Sequence, residues 1–100
     1  MDLAELKDQM HQFVDSKGWY DPDSPRSQVP HNLAQALAVE CAEVLELFAW
    51  GRQPEHDDLA QELADVGLYL LQLASISEID LEQAILDKLA ANRARSWDQE

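Results

Sequence analysis

Apolar residues recur along most of this chain at intervals of three and four, the spacing of one face of an α-helix. Leu3, Leu6, Met10, Phe13 and Val14 make one such stripe, predicting a first helix from about Asp2 to Asp15, ended by Gly18. A second helix is predicted from about His31 to Trp50, with Pro30 suited to its first turn and Gly51 to the position just past its end. A third runs from about Asp57 to Ile76, where Asp57 and Asp58 complement the positive N-terminal end. A fourth runs from about Leu81 to Arg95, opened by "DLEQ", a capping-box pattern with Asp80 as N-cap and Gln83 at N3. No run of alternating β-branched residues predicts a strand.

The links "GRQPEH" and "SEI" are short, which makes the helices they join antiparallel neighbours. The expected fold is therefore an all-α four-helix bundle, a single domain over residues 1–100. Helices two and three are apolar over more than half their circumference and should form its centre. A domain of this size buries only about two-thirds of its unfolded surface, so oligomerisation is expected to complete the bundle.

The polar positions of helix two are few and acidic. At about 100° per residue, Glu40, Glu43 and Glu46 fall within roughly 120°, joined by Asn32 and Gln35. Helix three repeats the spacing with Glu62 and Asp65, and Asp58, Tyr69 and Gln72 extend that stripe. A solvated polar edge is the ordinary explanation of one such stripe. Two narrow stripes on adjacent helices, with no Lys or Arg three or four residues from either pair, point instead to convergence.

Converging carboxylates repel: two unit charges about 4 Å apart cost roughly 4 kcal/mol at an effective dielectric of 20. Either some take up protons or a cation sits between them. Oxygen donors without His or Cys suit a hard cation, Mg²⁺ or Mn²⁺. Zinc is disfavoured because His11, His31 and His56 show no ligand spacing to one another or to Cys41, and a di-iron bundle would need Glu-x-x-His pairs. A cation held by carboxylates with part of its shell open commonly holds substrate phosphates, which points to phosphate chemistry.

Charge is consistent with this. There are 20 Asp and Glu against 7 Lys and Arg, a formal net charge of −13, which repels nucleic acid and also serves solubility. The lone cysteine, Cys41, excludes an intrachain disulfide and is expected to be a buried core thiol. "MDLAELKD" does not read as a signal peptide and no apolar run reaches transmembrane length, so no membrane partner and a cytoplasmic location are expected. Against the acidic background, Lys88, Asn92 and Arg95 share one face of helix four within roughly 60° and suit a phosphate tail, or else complement that helix's C-terminal dipole. Trp19 and Tyr20 in the loop, and Trp50 at the end of helix two, suit base stacking, although such aromatics are more often core or interface anchors.

Taken together, Glu40-Cys-Ala-Glu43 and Glu62-Leu-Ala-Asp65, "PHNLAQALAVECAEVLELFAW" and "KLAANRAR" resemble the MazG-like nucleoside triphosphate pyrophosphohydrolases, near the dCTP pyrophosphatase-like branch. The resemblance covers about Gly18 to Arg95, with His31 standing where that family usually carries Lys or Arg. It implies Mg²⁺-dependent cleavage between the α and β phosphates of a nucleotide, a role in clearing unwanted nucleotides, and a homodimer or homotetramer. It implies further that Glu40, Glu43, Glu62 and Asp65 bind metal. Lys88, Asn92 and Arg95 would hold phosphate or sugar, and Asn32, Trp19 and Trp50 would surround the base. Glu43 is the carboxylate expected to orient the attacking water. The alternatives are a pyrophosphohydrolase of another substrate, such as phosphoribosyl-ATP, and a non-catalytic helical interaction module.

Overall fold

A computed structural model describes residues 1–95. The chain order is α1 (Leu3–Ser16), α2 (Pro30–Leu47), a 3₁₀ turn (Ala49–Gly51), α3 (His56–Ile76) and α4 (Leu81–Ala94), with no strand among the described residues. The four helices lie where the apolar periodicity placed them, within a few residues at each end. Asp2 caps α1 by accepting from the Glu5 amide at 2.9 Å. The chain leaves α1 through Gly18 at φ 73, with Trp19 N–H donating to the Val14 carbonyl at 3.4 Å and Gly18 N–H to that of Asp15 at 2.9 Å. That is a Schellman closure, for which glycine supplies the left-handed residue without a Cβ penalty. Half of the expected capping box forms on α4. Asp80 accepts from the Gln83 amide at 3.1 Å, but the Gln83 side chain turns forward to Asp87 at 2.8 Å.

Helix α2 ends earlier than the sequence suggested. Arg52 reaches back to donate to the Ala49 and Glu46 carbonyls at 2.9 and 3.1 Å, satisfying C-terminal acceptors. Trp50, at φ 60, adopts a left-handed conformation rare for a bulky residue, and Gly51 follows at φ 74.

Helix α3 is the hub. It packs most extensively on α2, also on α1, and meets α4 near their junction. The core cluster is Met10, Val14 and Leu71, flanked by Leu3, Trp19, Tyr20 and Leu81. The centre therefore lies between α1 and α3, and α2 contributes only Leu33 as a buried residue. Cys41, expected in the core, is exposed. The reason is that α2 is apolar around more of its surface than α3 covers, so Val39, Leu45 and Phe48 are exposed as well. Helix α4 buries no residue. The radius of gyration is 16.3 Å, against about 13 Å for a compact chain of 100 residues. The chain thus leaves a large apolar surface on α2 and α4 uncovered. No described helix is long and apolar enough to cross a membrane.

Candidate functional site

The α2–α3 contact brings the two acidic pairs together. One carboxylate oxygen from each of Glu40, Glu62 and Asp65 lies within 4.8 Å of the other two. Glu43 stands close enough to Glu40 and Glu62 that its side chain helps raise both of their carboxyls. Oε2 of Glu40 and Oε2 of Glu62 are sealed from solvent and have no hydrogen-bond partner. Two buried, partnerless carboxylate oxygens facing further carboxylates are costly unless a proton or a cation takes them up. The tendency to take up a proton is visible in the electrostatics. Burial, then hydrogen bonding to Glu43, then repulsion from Glu43, Asp65 and Glu62 push the Glu40 carboxyl up to about 7. Glu62 is raised for the same leading reason, with Glu43 and Asp65 adding to it. An all-oxygen anionic set at this spacing fits a hard divalent cation. Glu46, on the same edge of α2, lies outside the trio.

Beside the carboxylates is a cavity of about 180 Å³ between α1, the loop that follows it, and α3. Asp65 lines it, so one side chain borders both the carboxylate cluster and the cavity. Phe13, Trp19, Leu68 and Tyr69 supply apolar wall, and Arg26, Gln28 and Gln72 supply polar groups. The loop is held over this cavity by Arg26. Its guanidinium stacks on the Trp19 ring at 4.4 Å and donates to the Tyr69 hydroxyl at 3.4 Å.

The remaining sequence candidates are placed differently. Asn32 donates from Nδ2 to the Ser27 carbonyl at 3.0 Å, which pins the end of the loop, and it lines a neighbouring cavity with Arg26 and Tyr69. Trp50 is 98% exposed and borders neither cavity. Lys88, Asn92 and Arg95 lie along α4 and its C-cap, with Asn92 half-buried and the other two exposed. Arg26, Tyr69, Gln28 and Gln72 were not anticipated as site residues. Tyr69 and Gln72 carried a signal, since they continue the Glu62–Asp65 face of α3, but the loop residues carried none.

An all-α fold whose two longest helices gather four carboxylates beside an aromatic cavity defines a helical protein with a cation-compatible acidic cluster next to a small pocket. The family follows directly: residues 28–96 match the MazG nucleotide pyrophosphohydrolase domain, and the chain belongs to that family. It is 34% identical to mouse dCTP pyrophosphatase 1 over 93% of its own length and 58% of that protein's. It is 40% identical to a dATP/dGTP diphosphohydrolase of Cyanophage S-2L over 79% of its length and 68% of the phage protein's. A pyrophosphatase from Archaeoglobus fulgidus has the same fold, with a TM-score of 0.71 and 33% identity, covering 89% of this chain and 86% of that one. The chain spans less than three-fifths of the length of the mouse relative.

Proposed function

We propose that this chain is a divalent-metal-dependent nucleotide pyrophosphohydrolase that converts a nucleoside or deoxynucleoside triphosphate to the monophosphate and pyrophosphate, in the service of nucleotide-pool clearance. The observation that carries the reading is the pair of sealed, partnerless oxygens on Glu40 and Glu62, next to a cavity that shares Asp65 with them. Family membership and the printed activities of the relatives support it.

Glu40, Glu62 and Asp65 would hold the cation, with Mg²⁺ the expected ion and Mn²⁺ an acceptable one. When bound, such an ion polarises a phosphoryl oxygen and neutralises charge on the phosphates. The aromatic walls of the cavity receive the base, with Trp19, one face of which carries the Arg26 guanidinium, among them. Glu43 is the residue assigned to orient water, because it is exposed yet close enough to Glu40 and Glu62 to raise both of their carboxyls. Water is added across the linkage between the α and β phosphates, one fragment taking its hydroxyl and the other its proton, so the products are the nucleoside monophosphate and pyrophosphate. Lys88, Asn92 and Arg95 would hold phosphate or sugar. Lys88, which makes no ion pair among the described residues, is the clearest free cation for that purpose.

The 100 residues are read as one domain around the Met10–Val14–Leu71 cluster. A homodimer or homotetramer would cover Leu45, Phe48, Ile85, Leu86 and Leu89, all exposed in one protomer, and would give Asn32 and the projecting Trp50 their place near a bound base. A single free thiol suits a reducing compartment such as the cytoplasm.

The deciding experiment incubates the protein with a panel of nucleoside triphosphates, with Mg²⁺ or with chelator, and separates the products. Monophosphate and pyrophosphate formed only with metal are expected. A protein that binds nucleotide and metal but releases neither product would overturn the reading, and sedimentation as a monomer at micromolar concentration would overturn the assembly.

A further inference from the structure

Arg26 stands where the cavities around the loop meet. Among the described residues it is the one that lines the cavity beside Asp65, the neighbouring cavity at Asn32, and a third of about 370 Å³ within the loop itself. In the first two it is the only basic residue. Its guanidinium lies against two side chains that themselves line the cavity beside Asp65, the Trp19 ring at 4.4 Å and the Tyr69 hydroxyl at 3.4 Å, and this fixes where the charge sits. Tyr69 follows Asp65 by four residues, so the two are neighbours on one face of α3.

The backbone of Arg26 is held firmly, whereas its side chain is not. The Arg26 N–H donates to the Ser24 hydroxyl at 3.0 Å, and the Arg26 carbonyl accepts from Nε2 of Gln28 at 2.7 Å. Oε1 of Gln28 in turn accepts from Nε2 of Gln72 at 2.7 Å, a side chain only 3% exposed on α3. One position further on, the Ser27 carbonyl accepts from Nδ2 of Asn32 at 3.0 Å. The loop is thus anchored here by hydrogen bonds that do not involve the guanidinium. A guanidinium has five N–H donors. Among the described residues this one makes a single hydrogen bond, and at 3.4 Å that bond is longer than the usual N–H···O range of about 2.7–3.2 Å. The chain carries 20 Asp and Glu, with Asp21 and Asp23 in the same loop, yet no carboxylate pairs with Arg26 among the described residues. In so acidic a protein, an arginine left without a carboxylate at the wall of a cavity keeps its donors for a ligand.

We propose that Arg26 is a substrate-binding residue that holds the phosphate next to the sugar, its guanidinium donating to the non-bridging oxygens of that group. This rests on the reading that the site takes a nucleotide. With the base in the cavity and the outer phosphates at the carboxylate-held cation, the phosphate that joins them passes the border between the two, where Asp65 and Arg26 both lie. A divalent cation neutralises only part of a triphosphate, and the planar guanidinium matches two phosphate oxygens at once. The exchange favours the ligand. A long contact with a neutral hydroxyl gives way to a charge-assisted pair, which is about twice as strong as a neutral one. This cation comes from the loop, not from α4, where the other basic candidates lie.

The test takes the nucleotide that the panel shows to be hydrolysed best and measures inhibition of its hydrolysis by three fragments of it: the nucleoside, the nucleoside monophosphate and inorganic pyrophosphate. Arg26→Gln should weaken the monophosphate by about 10-fold or more, the loss expected for a hydrogen bond to a charged group. KM should rise by a similar factor, with a smaller change in kcat. Inhibition by the nucleoside and by pyrophosphate should hardly move. Arg26→Lys keeps the charge without the planar fork and should recover part of the loss. A residue that only clasps the loop over the cavity would weaken the nucleoside as much as the monophosphate, and that result overturns the inference. So does monophosphate inhibition unchanged in Arg26→Gln, or a loss confined to pyrophosphate. In each of these cases the wild-type protein still hydrolyses nucleotide, and the pyrophosphohydrolase reading stands. A wild-type protein that hydrolyses no nucleotide overturns both. Arg26 is exposed, so neither substitution removes buried packing.

Discussion

Replacing Glu40 with Gln should make the metal-free protein more stable while removing its response to metal. The carboxylate oxygens of Glu40 and Asp65 lie within 4.8 Å of each other. At that spacing two unit charges repel by roughly 3.5 kcal/mol at an effective dielectric of 20. Asp65 is exposed, so solvent screens much of this, and about 1–2 kcal/mol is the reasonable fraction to recover. The amide also brings a donor to a cluster that has only acceptors, which offers the Glu62 oxygen a partner. In chelator and above about pH 7, where Glu40 is ionised, Glu40→Gln should therefore melt higher, with about 1 kcal/mol corresponding to roughly 4–8 °C in a domain of this size. With Mg²⁺ at a hundred times its dissociation constant, the wild-type protein should gain about 2.7 kcal/mol. The variant should gain little, because one of three ligands is no longer anionic. The assay is thermal unfolding followed by circular dichroism at fixed protein concentration, with chelator and across a Mg²⁺ titration. A variant that melts below wild type in chelator and still responds fully to Mg²⁺ would refute the convergence of charge on which the site is built.

Further outcomes follow from the same geometry. Glu40 titrates higher in the folded than in the unfolded chain, so the native state binds the extra proton. Metal-free stability contributed by that proton is present at low pH and lost as pH rises through about 7, which the wild-type minus Glu40→Gln difference in unfolding free energy should show as a falling curve. His11 has the opposite sign: its lowered value favours the neutral ring, so its contribution is lost as pH falls through the usual histidine range, and His11→Phe should flatten that limb. Glu43→Gln should lower kcat by about 100-fold or more, as expected for loss of a positioned base, while keeping the Mg²⁺-induced rise in melting temperature. Equal loss of both would reassign Glu43 to metal holding alone. Glu78 closes α3 at φ 58, where glycine belongs, so Glu78→Gly should raise unfolding free energy by about 1 kcal/mol in chemical denaturation.

The helices, their approximate ends and the two acidic pairs were legible because each depends on neighbours within one turn or two. Apolar spacing selects the helix, Gly18 and Asp80 mark its limits, and Glu-x-x-Glu repeated as Glu-x-x-Asp announces two acidic edges on adjacent helices. Periodicity stays silent about how two helices rotate against each other. That rotation decided that Glu40, Glu62 and Asp65 share a centre, that Glu43 stands beside it in solvent, and that Glu46 is left out. It also left Cys41 and Leu45 on an uncovered side of α2, where hydrophobicity alone had suggested burial. The cavity belonged wholly to the tertiary level. It exists because a loop without helical periodicity folds back through Arg26 onto Trp19 and Tyr69 and brings Gln28 to Gln72, 44 residues away in sequence. Local sequence determines which groups this chain can offer. Only the packing of α1, the loop, α2 and α3 decides which of them can act on one molecule at once, because hydrogen bonds and charges act over a few ångströms in space whatever their distance along the chain.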